Sequence, residues 1–188
     1  MAASQKPRLL TVAELFDNPG ERQELVDGVV VDMAPASPCH GAIQAQAARL
    51  LGNHLNAHPG CCVVIEPGVQ PRANASHNVR VPDLAVTCLP IAPDARLLVE
   101  PVLLIEILSP SNTKDTRGNV WRYTTIPSVR EIVVIHTEEM WIELLRRQDD
   151  GNWPTDPVLL TSDEALSLNT IGFEAPVSFY STVYSTVR

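Results

Sequence analysis

Apolar residues along the chain fall into short runs separated by Pro, Gly, Asn and Asp, and one run stands apart from the others. Residues 102–109 read Val-Leu-Leu-Ile-Glu-Ile-Leu-Ser, a pattern suited to a buried strand and interrupted only by Glu106. A carboxylate in such a run costs roughly several kcal/mol of desolvation unless a cation, a metal ion or a raised pKa offsets it. Residues 79–86, Val-Arg-Val-Pro-Asp-Leu-Ala-Val, form a second strand-like run with one acid, Asp83. Two acids on two apolar strands can meet at one site.

The remaining pattern supplies the scaffold. Thr11 with Glu14 three residues on is a capping-box signature, predicting a short helix that stops near Asn18-Pro19-Gly20. Asp27-Gly28 is a tight hairpin turn between strands at 23–26 and 29–33. Ser37-Pro38 opens a helix of about four turns by the spacing of Ile43, Ala47, Leu50, Leu51 and Leu55, closed by Pro59-Gly60. Strands are expected at 61–66, continuing at 69–72, and at 79–87, 103–108, 131–136 and 140–146. Asn112 with Asp115 starts a helix that ends near Thr125 before Pro127. After Trp153 the signals weaken to an edge strand at 158–161 and a terminal element at 177–187. We expect an α/β (α+β) fold, a sheet flanked by helices, in one domain: a lead-in over 1–10, a core over 11–150 and a C-terminal extension over 151–188.

Composition narrows the class. The 188 residues suit one domain with a real core, and 16 prolines favour short elements over long helices. No apolar run reaches the roughly 18–20 residues of a membrane helix, and residues 1–8 lack a signal peptide's apolar core, so a cytoplasmic protein with no membrane association is expected. The net charge of −8 argues against a broad basic surface but permits a local cationic cleft. Cys39, Cys61, Cys62 and Cys88 make no Cys-x-x-Cys pair, and buried reduced thiols are the expectation.

Carboxylates from adjacent strands, with a backbone carbonyl between them, make an oxygen-rich pocket for Mg²⁺ or Mn²⁺. Such an ion polarises a phosphoryl oxygen and acidifies a bound water, the chemistry of phosphodiester hydrolysis. The structural alternatives are an ion pair for Glu106 and a surface turn for Asp83. His54 and His58 sit four apart, but without the glutamate of a zinc-protease motif they read as surface or helix-end groups. His40, near a helix start, is either a phosphate contact or a capping group. Trp121 and Tyr123 read as core or dimer contacts before base-stacking groups.

Pro82-Asp83-Leu84, then Ile105-Glu106-Ile107-Leu108-Ser109-Pro110-Ser111, then Asp115 and Tyr123, closely resemble the Uma-two family of bacterial restriction-endonuclease-like proteins. The resemblance also takes in residues 24–28, 33–40 and 126–132, and spans about residues 11–150. It implies the PD-(D/E)xK nuclease superfamily, whose core is a mixed sheet flanked by helices. By that resemblance Asp83 and Glu106 are metal-binding acids, Ile107 lends its backbone carbonyl, and Glu24 is an N-terminal acid approaching the same site. The superfamily's lysine, normally two residues after the second acid, falls on Leu108. The family's alternative lysine position, between Asp115 and Tyr123, holds Asn119. Lys114, Arg117 and Arg122, on or beside the same helix, are the candidate cations for water or phosphate, with His40 a further phosphate contact.

The expected function is hydrolysis of DNA phosphodiester bonds by a Mg²⁺- or Mn²⁺-dependent endonuclease. The competing reading, favoured by Asn119 and the acidic charge, is a non-catalytic nuclease-fold module that binds nucleic acid or a protein partner. Cleavage of two strands would use a homodimer, for which the hairpin and late strands are candidate surfaces.

Overall fold

A computed structural model describes residues 8–18, 20, 22–110 and 112–183. Within these, α1 (Val12–Asp17) is followed by the hairpin β1 (Gln23–Val26) and β2 (Val29–Asp32), then α2 (Pro38–Ala57). Next come β3 (Cys62–Ile65), β4 (Leu84–Thr87), β5 (Pro101–Leu108), α3 (Thr113–Tyr123), β6 (Glu131–His136), β7 (Trp141–Arg146) and β8 (Val158–Thr161). A last hairpin, β9 (Ala165–Leu168) and β10 (Phe173–Pro176), leads into a 3₁₀ turn at Val177–Val183.

Local chemistry explains the first elements. Thr11 caps α1 by accepting from the Glu14 N–H at 3.3 Å, and Glu14 reaches back to the Thr11 N–H at 2.9 Å. Asp27 and Gly28 both adopt positive φ, 50° and 85°, as a two-residue hairpin turn requires. Asn78 makes this tolerable for Asp27, accepting its N–H at 3.0 Å and donating to its carboxylate at 2.8 Å. Ser37 accepts from the His40 N–H at 3.2 Å, Pro38 occupies the first turn, and α2 then runs for 20 residues, longer than the four turns expected.

The main sheet has six strands in the order β3-β4-β5-β6-β7-β8, mixed in direction. Only β5 and β6 are parallel, and α3 makes the crossover between them. Alternation along β5 divides the core. Leu103, Ile105 and Ile107 face a layer built by Ile43, Ala47 and Leu51 of α2. Leu104 and Leu108 face the other layer, with Val120 and Tyr123 of α3, and Glu106 shares their parity. Arg147 and Trp153 close the end of α3 by donating to the Thr124 carbonyl, at 2.9 and 3.0 Å.

Four expectations are corrected. The strand expected at 79–87 begins only at Leu84, because Pro82 lacks the N–H a ladder needs; Val79 and Arg80 make isolated bridges to Leu25 and Val69. The continuation at 69–72 is reduced to that bridge at Val69. Residues after 161 hold a hairpin that sequence patterning missed. It packs Leu166, Leu168, Phe173 and Ala175 into the α2-side core and is pinned by buried Glu131, which accepts the Asn169 and Thr170 N–H groups at 3.1 and 3.0 Å. Cys61 and Cys88 form a disulfide, because the β3–β4 register that pairs Cys62 with Thr87 sets them opposite each other. Cys39 and Cys62 are free. Of the terminal element expected at 177–187, residues 184–187 lie outside the described residues.

Alkylation of the unreduced, denatured chain is expected to modify two cysteines, Cys39 and Cys62, and all four after reduction, as read by intact mass. Four modified thiols without reductant would refute the disulfide.

Candidate active site: an acid pocket between the sheet and α3

Glu106 comes from the centre of β5 and is 5% exposed. Its described partners are neutral: the Tyr123 hydroxyl donates to it at 2.6 Å, and the Asn119 amide approaches at 3.5 Å. Burial pushes the Glu106 pKa well above the usual carboxylate range, the nearby Asp83 and Glu24 charges push it further, and the Tyr123 bond opposes both. Burial likewise raises the Tyr123 phenol well above its ordinary value, with Glu106 adding to the effect. Tyr123 therefore remains a donor.

Asp83 lies immediately before β4. Its Oδ2 accepts from the Ile107 N–H at 2.6 Å, and its Oδ1 lies 2.8 Å from His40 Nε2. The Ile107 carbonyl accepts from Asn112 Nδ2 at 3.2 Å and keeps a second lone pair. Glu24, on β1, accepts from the Val81 N–H at 2.8 Å and lies 3.7 Å from Arg80. Desolvation raises the Glu24 pKa, and the Val81 bond and the Arg80 charge hold it back. The Asn119 amide, 3.5 Å from both Glu24 and Glu106, bridges the two acids.

The predicted site residues thus divide. Asp83, Glu106, Glu24, Asn119, Ile107 and His40 gather at one pocket: His40 and the Ile107 N–H meet Asp83, Asn119 reaches both Glu24 and Glu106, and Asp83 and Glu24 act on Glu106 through their charge. Arg117 points elsewhere, pairing through both terminal nitrogens with Glu143, which also lies 2.8 Å from His136 Nε2. Glu143 and Glu106 are both in register with Val134, so they stand on one sheet face two strands apart, about 10 Å by sheet geometry. Arg122 pairs with Asp27 at the hairpin tip. The Lys114 side chain and Ser111 lie outside the described residues.

Sequence reasoning missed three contributors. Arg80 is 1% exposed and donates to the Leu25 carbonyl at 3.3 Å and to Asn78 at 3.0 Å, its Nε left without a partner. A charged residue inside an apolar run is the same signal that singled out Glu106, and at Arg80 it was available. Gln44 donates to the Asp83 carbonyl at 3.0 Å, a contact no local pattern reveals. Tyr123, expected in the core, is there, but as the partner of Glu106. Of the core or dimer contact expected of Trp121, the core alternative is excluded: it is 62% exposed. His58 caps the end of α2, and His54 meets the Ile171 carbonyl at 2.8 Å.

The fold has counterparts among known proteins. The family Uma2, described as "Putative restriction endonuclease", matches residues 8–178, and the chain belongs to that family. An uncharacterised protein of Synechocystis is 29% identical over 135 residues, 71% of this chain and 70% of that one. A solved structure from Anabaena variabilis, described as a putative nuclease belonging to DUF820, superposes with a TM-score of 0.74. It is 17% identical and the match covers 93% of this chain and 98% of that one, so it speaks to the fold.

The buried acid makes stability depend on pH. The folded Glu106 pKa lies above its ordinary value of 4.5, so folding favours the protonated form. Below that ordinary value the carboxyl is neutral in both states and costs nothing. As pH rises from there through the folded pKa, the unfolded chain loses the proton first and stability declines. Glu106→Gln is expected to remove this decline. In EDTA the variant should gain Tm over the parent at pH 8 and little at pH 4, each kcal/mol appearing as about 2–4 °C. Parallel Tm–pH curves for parent and variant would contradict the assignment.

Proposed function

We propose that this chain is a divalent-metal-dependent endonuclease that hydrolyses DNA phosphodiester bonds at the Glu24–Asp83–Glu106 pocket. The observation that carries this reading is Glu106, a carboxylate buried beside two others with only neutral groups bonded to it. A pocket of this kind attracts a cation.

The donor set fits Mg²⁺ or Mn²⁺. Asp83, Glu106 and the Ile107 carbonyl offer hard oxygens, and Mg²⁺ is commonly held by one or two carboxylates while keeping its waters. Among the described residues no three His, Cys, Asp or Glu side chains form a cage for an ion, so an ion here would be held by fewer side chains with the Ile107 carbonyl and its own waters. When bound, the ion would polarise a phosphoryl oxygen and lower the pKa of a water. Tyr123 and Asn119 orient Glu106, the Ile107 N–H orients Asp83, and Arg80 holds Glu24 in place. Among the described residues no helix is long and apolar enough to cross a membrane. We place the protein in the cytoplasm, acting on nucleic acid. A homodimer would bring one pocket to each strand of a duplex, and the half-exposed Val29 and Val31 of β2 are apolar surface available to it.

Asn119 favours a second reading, a nuclease-fold module that binds without cleaving, since the position offers an amide where a lysine would serve catalysis. Cleavage of plasmid and single-stranded DNA with Mg²⁺ or Mn²⁺ separates the two. The expected outcome is metal-dependent cleavage that falls by about 100-fold or more in Asp83→Ala and Glu106→Ala. Cleavage that persists in both variants places the activity elsewhere, and its absence from every sample supports the binding module.

Asn119→Lys is expected to raise the cleavage rate about tenfold, a change of about 1.4 kcal/mol in the barrier, by bringing an ammonium between Glu24 and Glu106. Steady-state rates on the same substrates check this, and a rate at or below the parent's would show that position 119 does not limit the chemistry.

A further inference from the structure

Asp83 is the acid least constrained by the sheet. It follows Pro82, precedes β4 and belongs to no regular strand. A carboxylate in such a place can turn about its Cβ–Cγ bond, and one hydrogen bond does not prevent it. Two bonds on different oxygens fix the plane of the group.

The second bond comes from α2. His40 Nε2 lies 2.8 Å from Asp83 Oδ1, with both side chains about nine-tenths buried. Gln44, one turn further along the same helix face, donates to the Asp83 carbonyl at 3.0 Å. The Glu66 N–H donates to that carbonyl at 3.1 Å, and the Ile107 N–H holds Oδ2 at 2.6 Å. The first turn of α2 is itself fixed, since Ser37 accepts from the His40 N–H at 3.2 Å and Pro38 sets the adjacent backbone. In the tautomer with hydrogen on Nε2 the ring donates to Asp83 Oδ1, since a carboxylate oxygen accepts.

We infer that His40 and Gln44 are positioning residues that clamp Asp83 from α2 and set the direction in which its carboxylate presents lone pairs to a divalent cation. The cation belongs to the endonuclease reading, on which this inference rests; the clamp itself is a matter of two residues on one helix and one aspartate. His40 thereby differs from a phosphate contact, because its ring is turned onto an acid. Each Asp83 oxygen retains a lone pair after these bonds, so the clamp orients the ligand without using it up.

The test uses the full chain, ¹⁵N-labelled, with two readouts. The Ile107 amide proton, bonded to Asp83 Oδ2, reports the carboxylate's position without metal. Mn²⁺ uptake, followed by electron paramagnetic resonance, reports its effect on a cation. In His40→Ala the Ile107 amide is expected to move upfield, towards its position in Asp83→Ala, and Mn²⁺ affinity to fall by about tenfold or more. His40→Gln, whose amide nitrogen can stand near the place of Nε2, is expected to restore much of both. Gln44→Ala should shift the same amide by less.

An unmoved Ile107 amide and unchanged Mn²⁺ affinity in His40→Ala would overturn the inference, as would failure of His40→Gln to recover either. If the parent takes up no Mn²⁺ while Ile107 responds as described, the metal reading fails and the clamp stands. Should His40→Ala lose the dispersed amide spectrum of a folded chain, His40→Asn, polar but too short to reach Oδ1, replaces it under the same expectations.

Discussion

Keeping a carboxylate inside the sheet is the constraint to which the rest of this structure is fitted. Glu106 stands mid-strand between Ile105 and Ile107 and is all but withdrawn from bulk water. The fold answers with neutral donors: a phenol and an amide from one face of α3, four residues apart, descend onto the acid. This places α3 over β5, and the parallel β5–β6 pair requires a crossover there in any case. Topology and electrostatics ask for the same helix in the same position.

Positive charge is distributed so that the pocket stays acidic. Arg117 is held by Glu143, Arg122 by Asp27, and Arg80 stands behind Glu24. Each guanidinium thus has a carboxylate of its own, and none is bonded to Glu106. A lysine at position 119 would change this balance at the centre of the site, whereas asparagine leaves it to whatever enters from solvent. The hairpin contributes in the same sense. Leu25 pairs with Val79, which fixes Glu24 against Val81 and brings Arg80 behind it.

Much of this was readable from residue order, for identifiable reasons. Glu106 was legible because one charge in a run of Val, Leu and Ile has few explanations. The capping box at Thr11, the turn at Asp27-Gly28 and the start of α2 at Ser37-Pro38 were legible because each is local chemistry complete within a few residues. Contacts made across the fold were not. Nothing near Gln44 announces a carbonyl 39 residues away. The Cys61–Cys88 pair depends on a register that no spacing reveals. The β9–β10 hairpin was lost because its strands have four residues each and alternate buried with exposed positions among Ser, Glu and Pro. Asp83 stands out as an acid but reads as part of a strand, since an apolar run says nothing of where a proline ends the ladder.

The parity of β5 has a further consequence. From Leu103 to Leu108 odd positions meet α2 and even positions meet α3, so this part of the strand carries two unrelated surfaces interleaved one residue at a time, while Val102, at the register shift that follows the Val86–Leu103 pair, packs on the α2 side. A single-residue insertion between Leu103 and Glu106 would exchange the acid for an isoleucine and send the charge into the α2 layer. The same insertion in the loop before Pro101 would leave both surfaces intact. The register shift at Val102 shows where β5 takes up one extra residue without disturbing Glu106, at the end of the strand before the alternation begins.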